Sequence, residues 1–276
     1  MTQLIDTTSG DYDYTYLSLG AGVQSSALLV LSCTDDRVPR PDVAIFSDTG
    51  DEPEYVYGYL KLLAEWAKPH GVEIFTATAG VLSDDTLNRG KFVPIPLYTL
   101  HKDGTKGVLR RQCTREYKIT PINKKVREVL GYKPRQHKKH KVRAMLGIST
   151  DEMTRMKASW DKWVTNTYPL IDLGISRSDC YQIMADADLP KPKKSACIYC
   201  PYHDDGYWQY MKDELPVEFR KAVEFDEAIR NRTMKGAEAP AFVHRSCVPL
   251  GEAVFNANDP DQVDLFTNEC EGMCGV

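Results

Sequence analysis

Two cysteines, Cys197 and Cys200, are separated by two residues, and this spacing lets two thiolates bind one metal ion. Pro201 follows them and stiffens the exit from the turn. One such pair cannot complete a site. No second pair at zinc-finger spacing is present in the sequence, so further ligands must come from distant segments. Thiolates are soft ligands that suit iron–sulfur clusters and zinc alike, and a redox-active dithiol is a third interpretation.

A second kind of chemistry is indicated near the amino terminus, where a strand-like segment runs into a turn of small residues. From Leu17 the sequence reads Leu-Ser-Leu-Gly-Ala-Gly-Val-Gln-Ser-Ser. Glycines let a ligand approach backbone N–H groups, and the hydroxyls stand where the positive end of a helix begins. The turn predicts a phosphate site formed by Ser18, Gly20, Ala21, Gly22, Gln24, Ser25 and Ser26. The competing interpretation is that the glycines only let a helix pack on a strand.

A third candidate segment follows the apolar run 42–46 and contains Asp48, Thr49 and Gly50. Ligands of open α/β sheets bind at the carboxyl ends of strands, so these residues are expected beside a nucleotide. Asp48 is a candidate carboxylate for a Mg²⁺ ion held mostly by phosphate oxygens. Alternatively, the segment is an acidic turn that caps a helix beginning at Pro53.

Alternating strands and helices must position these residues, which predicts an α/β fold with a parallel sheet. Strands are predicted at 14–17, 42–46 and 142–148. One helix is predicted to contain residues 27–31, and two more are predicted to begin at residues 53 and 149. A further helix is predicted over about 176–187, and two helices are predicted within 203–230. Segment 80–111 is predicted to be a long loop or lid. We expect a nucleotide-binding domain at 1–175 and a helical region at 176–276 that carries the Cys-x-x-Cys turn and a cysteine-bearing tail.

Several of these segments resemble motifs of one superfamily. The segment from Gly20 to Ser25 is similar to the pyrophosphate loop of the adenine nucleotide α-hydrolases (PP-loop ATP pyrophosphatases), usually Ser-Gly-Gly-x-Asp-Ser, but Gly20 replaces the first Ser and Gln24 replaces the Asp. Phe-x-Asp-Thr-Gly-x-Glu, beginning at Phe46, resembles the phosphoadenosine phosphosulfate (PAPS) reductase branch. Gly147 opens a segment similar to Gly-x-Arg-x-x-Glu-Ser-x-x-Arg, with Ser149 where Arg is usual.

A Cys-x-x-x-x-Lys-x-x-Pro segment beginning at Cys113 completes the resemblance, which extends over about residues 14–230 in the family's order. It implies a Rossmann-like, HUP-type sheet in which Gly147 lies near the nucleotide. It also implies that Lys118 and Arg155 neutralise phosphate charge. With Cys113, Cys197 and Cys200, the chain resembles tRNA thiolation enzymes that hold a [4Fe–4S] cluster by three cysteines. Zinc is the lesser alternative.

The fourth ligand stays open among Cys247, Cys270 and Cys274, and the tail pair is preferred. Cys270 and Cys274 lie on a glycine-containing tail that could carry sulfur or electrons, so both are candidate catalytic residues and Cys274 is a candidate metal ligand. The tail faintly resembles the Glu-Cys-Gly-Leu-His end of PAPS reductases. The alternative is a frayed end with two idle thiols.

Composition is compatible with a reduced, cytoplasmic enzyme. The 276 residues include eight cysteines, no signal peptide is recognisable, and the formal net charge is −4. No stretch approaches the length of a membrane span. Basic residues concentrate in 133–143, where they could bind tRNA or DNA or form only a solvated loop. The sequence leaves a homodimer open.

These expectations combine into ATP-dependent sulfur transfer. A substrate, which could be a nucleic acid, is adenylated with release of pyrophosphate, and sulfur then displaces AMP. The partners implied are ATP, a sulfur or electron donor and the acceptor. One alternative is a thiol-dependent PAPS or APS reductase. A second is a nucleotide-binding regulator with structural zinc, which the replacement of the motif Asp by Gln24 motivates.

Overall fold

The computed structural model describes residues 10–88, 93–230 and 239–256. Five strands form one parallel sheet in the order β3-β2-β1-β6-β7. These strands are β1 (Tyr14–Leu19), β2 (Val43–Asp48), β3 (Glu73–Thr78), β6 (Val142–Leu146) and β7 (Val164–Thr167). The chain moves outward from β1 to β3 and then returns to place β6 on the other side of β1, so the strand order reverses between β1 and β6. This arrangement confirms the predicted α/β fold.

Helices cover both faces of the sheet because side chains alternate along its strands. Leu17 and Met145 share one core with helices α1 and α6, whereas Tyr16 and Ala144 share a second core with α4 on the opposite face. The helices are α1 (Val23–Thr34), α2 (Glu54–Ala67), α3 (Leu82–Asn88), α4 (Thr120–Val129), α5 (Pro169–Asp172), α6 (Arg177–Asp186), α7 (Asp205–Glu214) and α8 (Pro216–Arg230). Helix α6 packs on α1, so residues on both sides of the domain boundary predicted at residue 175 contribute to the first core.

A third core lies beyond the carboxyl edge of the sheet. Trp208 and Met211 of α7 pack there with Phe225 of α8 and with Ile198 and Tyr199 of the Cys-x-x-Cys turn. A small antiparallel sheet adjoins it, formed by β4 (Tyr98–Leu100), β5 (Lys106–Val108) and β8 (Ala241–Phe242). The two helices predicted in 203–230 are confirmed, and they pack beside the thiol-bearing turn as expected.

Two local predictions are wrong. Segment 80–111 contains α3 and the β4–β5 hairpin, so it is not an uninterrupted loop. Thr150–Arg155 forms a 3-10 turn and not a capped α-helix, because Glu152 leaves the helical region at φ −123°. The Ser149 hydroxyl bonds to other side chains and does not cap the turn.

Candidate functional site

The turn between β1 and α1 has the geometry of an anion site. Ala21 adopts a left-handed conformation at φ 57°, and Gly22 caps α1 without any side-chain hydrogen bond to the first helical N–H groups. These N–H groups therefore remain directed at the end of β1, where the helix dipole favours negative charge. The backbone N–H of Gly20 donates to the Ser25 Oγ over 3.1 Å, which holds the turn closed.

Two further hydroxyls of this segment, Ser18 Oγ and Ser26 Oγ, are buried and have no hydrogen-bond partner among the described residues. A buried polar atom without a partner costs free energy, which a bound ligand or water would recover. The phosphate-binding role predicted for this turn is compatible with these features and stays a prediction.

Gly147, at the end of β6, lies directly against the start of α1. A Cβ atom at this position would be 2.6 Å from the Ser25 backbone nitrogen and 2.7 Å from its Cα. Backbone atoms cannot move aside as the end of a side chain can. Gly147 therefore sets the position of the phosphate turn relative to β6.

We expect Gly147→Ala to lower the free energy of unfolding by about 1–3 kcal/mol and to weaken nucleotide binding, since the methyl group would push α1 away. Gly58→Ala is the matched control, because Gly58 lies within α2 and its Cβ would meet nothing within 4 Å. It should raise stability by about 0.5–1 kcal/mol. Chemical denaturation followed by circular dichroism measures both. Equal stability of the two variants would contradict the close approach.

Gln24 connects the phosphate turn to the segment after β6. Its Nε2 donates to Ser149 Oγ and to Glu152 Oε2, each over 2.8 Å, and Arg155 donates to the same Glu152 oxygen over 2.5 Å. Gln24 and Ser149 are both positions at which the chain departs from the family's motifs, and here they contact each other. These two departures therefore meet in one neutral hydrogen bond.

Arg155 was predicted to neutralise phosphate charge, and its guanidinium lies in this network. It is 8% exposed and forms an ion pair with Glu152. It also lines a small cavity with Trp160 and Ile119. Its predicted contact with phosphate stays a prediction.

Two carboxylates in the segment after β2, Asp48 and Asp51, accept hydrogen bonds from different parts of the structure. Asp48 Oδ1 accepts from the Gly50 N–H over 2.8 Å and from the Tyr57 hydroxyl over 2.9 Å, which fixes the carboxylate at the strand end. Asp51 accepts hydrogen bonds from the N–H and the hydroxyl of Ser83 at the start of α3. An acidic cap was expected for the helix beginning at Pro53, but this carboxylate caps α3. Burial raises the pKa of Asp51 above its ordinary value.

Thiols from two distant segments line one cavity beside this edge. Cys113 precedes a π-helical turn, Thr114–Ile119, that continues into α4 and directs Lys118 into the same cavity. The lining thiols and cations are Cys113, Cys197, Cys200, Arg111 and Lys118. The structure therefore brings together the three predicted cysteine ligands and the predicted cation. π-Helical turns are frequent at functional sites.

Cys197 is fixed at the edge of the sheet by contacts with two polar side chains. Its Sγ lies 3.2 Å from Thr49 Oγ1 and donates to Glu52 Oε1 over 3.5 Å. Burial first, and then the Glu52 charge, raise the pKa of the thiol well above its ordinary value, while Lys118 opposes this shift. Cys197 is thus a protonated thiol at neutral pH unless a metal or a further cation stabilises the thiolate.

Two hydrogen bonds hold the Cys-x-x-Cys turn against the sheet edge. Ser195 Oγ donates to the Gly20 carbonyl over 2.6 Å, and the Ile198 N–H donates to the Asp51 carbonyl over 2.8 Å. The imidazole Nε2 of His203 lies 2.9 Å from the Cys197 carbonyl, and burial lowers the pKa of His203 well below its ordinary value, so the ring is neutral. The turn after β1 and the Cys-x-x-Cys turn are therefore held next to each other.

The three thiols do not form a finished site for a single ion. In the described parts of the chain, no three His, Cys, Asp or Glu side chains converge enough to hold a metal ion. Zinc–sulfur distances of about 2.3 Å would require sulfurs roughly 4 Å apart. The accessible space in the cavity is about 20 Å³, enough for about one water molecule, so any larger group requires the lining side chains to move outward.

Cys270 and Cys274 fall outside the described residues, and the basic run 133–143 lies apart from the phosphate turn. The basic run 133–143 leads into the amino end of β6, whereas the phosphate turn lies at the carboxyl end of the neighbouring strand β1. The strand length, roughly 17 Å for five residues, separates this run from the site.

Sequence reasoning missed two residues that shape the site, Ser195 and Glu52. Glu52 appeared only as the last residue of the Phe-x-Asp-Thr-Gly-x-Glu motif. The position of Ser195, two residues before Cys197, did indicate a contact, because a serine hydroxyl readily hydrogen-bonds to a nearby backbone carbonyl. Nothing in the sequence identified that carbonyl as Gly20.

None of the helices in residues 10–88, 93–230 and 239–256 is long and apolar enough to span a bilayer. Comparison with protein families finds no matching family, and no curated protein matches. Among solved structures, the chain is similar to PAPS reductase from Candida auris in a phosphate complex, with a TM-score of 0.40 and 12% identity. The match covers 66% of this chain and 76% of the reductase. A likeness this low does not place the chain in a family, so the interpretation of the site rests on its own residues.

Proposed function

We propose that this protein is an ATP-dependent sulfurtransferase that adenylates an acceptor and then replaces AMP with sulfur. One observation carries the proposal: a phosphate-type turn and a three-cysteine cavity are joined by the hydrogen bond from Ser195 to the Gly20 carbonyl. A nucleotide on the turn would thus lie next to soft sulfur ligands. An enzyme that only hydrolyses ATP has no need of such a pair of sites.

In the first step, the N–H groups at Gly22 and at the start of α1 stabilise the phosphates of ATP. An oxygen of the acceptor attacks the α-phosphorus, its new bond forms as the bond to pyrophosphate breaks, and charge accumulates on the leaving group. Donors already fixed at a helix start stabilise that charge without reorganising. Asp48, fixed by Tyr57, would hold a Mg²⁺ ion bound mainly by phosphate oxygens.

In the second step, a sulfur nucleophile forms a bond to the activated carbon, and the bond to AMP oxygen breaks. The donors Cys113, Cys197 and Cys200 fit a soft metal group, and Lys118 and Arg111 would offset thiolate charge. A [4Fe–4S] cluster bound there would present sulfide at neutral pH. The thiols do not converge on a point within the described residues, so either a cluster or a zinc ion would require the lining side chains to move.

The nature of the bound group can be tested on protein purified without oxygen. We expect iron and acid-labile sulfide in equal amounts, about four of each per chain, together with ATP-dependent pyrophosphate release that requires an acceptor. Metal analysis and a pyrophosphate assay measure these quantities. One zinc per chain without sulfide would overturn the cluster and leave the regulator with structural zinc. Sulfite formation from PAPS would instead establish the reductase alternative.

A further inference from the structure

A second, larger cavity opens on the other side of the phosphate turn. Its accessible volume is about 260 Å³, and it is bounded by the loop residue Ala21, by α2 and by the segment that leads to the Cys-x-x-Cys turn. This volume is near the lower end of the range for small-ligand sites, roughly 300 Å³, so the cavity can accept about one flat ring system. Nothing in the proposed adenylation chemistry uses it.

The walls and the rim of this cavity differ in character. Apolar and aromatic side chains form the walls, namely Tyr55, Val56, Tyr59, Leu62 and Pro192. Lys191 and Lys193 are exposed at the rim. An aromatic and apolar wall accepts the face of a nucleobase, while cations at the entrance attract phosphate.

The rim lysines are held on tyrosine rings and not by carboxylates. Lys191 Nζ lies 4.5 Å from the Tyr181 ring centroid, and Lys193 Nζ lies 5.3 Å from that of Tyr55. Neither lysine forms an ion pair with any of the described residues, whereas Lys194 pairs with Asp204 over 3.5 Å. A cation on an exposed aromatic ring is held only weakly, so both ammonium groups are available to bind phosphate.

The segment that bears these lysines also connects the cavity to the reaction site. Lys191 and Lys193 are followed by Ser195, which bonds to the phosphate turn, and then by Cys197, which lines the thiol cavity. A strand held on the lysines would therefore lie beside both halves of the proposed site.

We propose that this cavity and its rim bind a single strand of nucleic acid, with one unstacked base against Tyr55 and Tyr59 and the flanking phosphates on Lys191 and Lys193. The inference rests on the proposed function, because it identifies the acceptor of the sulfur. A duplex cannot insert a base without unpairing it, so single strands should bind better than duplexes. The basic run 133–143 is not part of this surface.

Binding can be measured without turnover. We would titrate the full-length protein into fluorescein-labelled strands of about 12 nucleotides, as DNA, as RNA and as a duplex, and record anisotropy at several salt concentrations. K191A/K193A should weaken single-strand binding at least tenfold and reduce the salt slope by about 1.4, from two lost phosphate contacts. K138A/K139A, which removes two lysines from the basic run, is the matched control and should change affinity less than twofold.

Each outcome decides the proposal. Tight binding of one strand type, lost only in K191A/K193A, supports it and identifies DNA or RNA as the acceptor. Equal loss in both double variants, loss only in K138A/K139A, stronger binding of duplex, or no binding overturns it. Because the titration contains no ATP, its result is independent of pyrophosphate release and metal content, so failure here would leave the proposed sulfur chemistry to its own test.

Discussion

Replacing Cys197 with serine is expected to abolish the binding of iron and sulfide and to slow ATP-dependent sulfur transfer at least a hundredfold, while ATP affinity changes less than twofold. Cys197 is the thiol that contacts both Thr49 and Glu52, so it is fixed at the edge of the sheet. A serine hydroxyl there can keep a hydrogen bond to Glu52 but is a poor ligand for a soft metal. Metal analysis, product formation and calorimetric titration of ATP separate these effects.

The control for this prediction is Cys33→Ser, the same exchange at a partly exposed cysteine of α1 that lies outside the thiol cavity. Its iron content and transfer rate should remain within twofold of those of the unmodified protein. Full transfer activity in Cys197→Ser would remove the thiols from the mechanism. Loss of ATP binding together with iron would indicate that the variant had disturbed the phosphate turn through the bond between Ser195 and Gly20.

Local patterns in the sequence sufficed to predict the three central strands of the sheet, but the outer strands β3 and β7 were not predicted. The runs around Tyr16, Ile45 and Met145 are apolar on both sides, as buried parallel strands require, and the structure places all three in the central strands. The helix predicted over about 176–187 is confirmed as α6, and in the structure it begins with a capping box formed by Ser176 and Asp179. Each of these features depends on neighbours in the chain, which a sequence displays directly.

Contacts between distant segments were harder to predict. Gln24 and Ser149 are 125 positions apart in the sequence and hydrogen-bond to each other in the structure. In the sequence, each appears only as a separate departure from a motif. The Ser149 hydroxyl was read as a helix cap because its local pattern fits one, and a tertiary hydrogen bond overrode that preference. The contacts of Lys191 and Lys193 were hard to predict for the same reason, because their tyrosine partners come from the distant helices α6 and α2.

Gln24→Glu is expected to lower the free energy of unfolding by about 3 kcal/mol or more at neutral pH. The exchange preserves shape but replaces a donor with an oxygen that faces Glu152 Oε2 over 2.8 Å. Gln24 is fully buried and Glu152 is 8% exposed, so water cannot screen the two carboxylates. Burial and the like charge of Glu152 raise the pKa of the introduced carboxyl. The loss of stability should therefore be present at neutral pH and should disappear below about pH 4, where the introduced carboxyl is protonated in both the folded and the unfolded state. Urea denaturation at several pH values measures it.

Two further variants identify the cause. Gln182→Glu makes the same exchange on the exposed face of α6, where Gln182 Nε2 donates to Asp186 over 2.7 Å, and water should keep its cost within about 0.5 kcal/mol. The double variant Gln24→Glu/Glu152→Gln restores one donor and one carboxylate across the same contact but removes the ion pair between Glu152 and Arg155, so it should recover part of the stability lost in the single variant. Equal costs at the buried and exposed sites would contradict this account. Recovery of stability together with ATP binding would show that the neutral residue at position 24 serves the packing of the phosphate turn, so its departure from the motif does not by itself imply a protein that binds ATP without turnover.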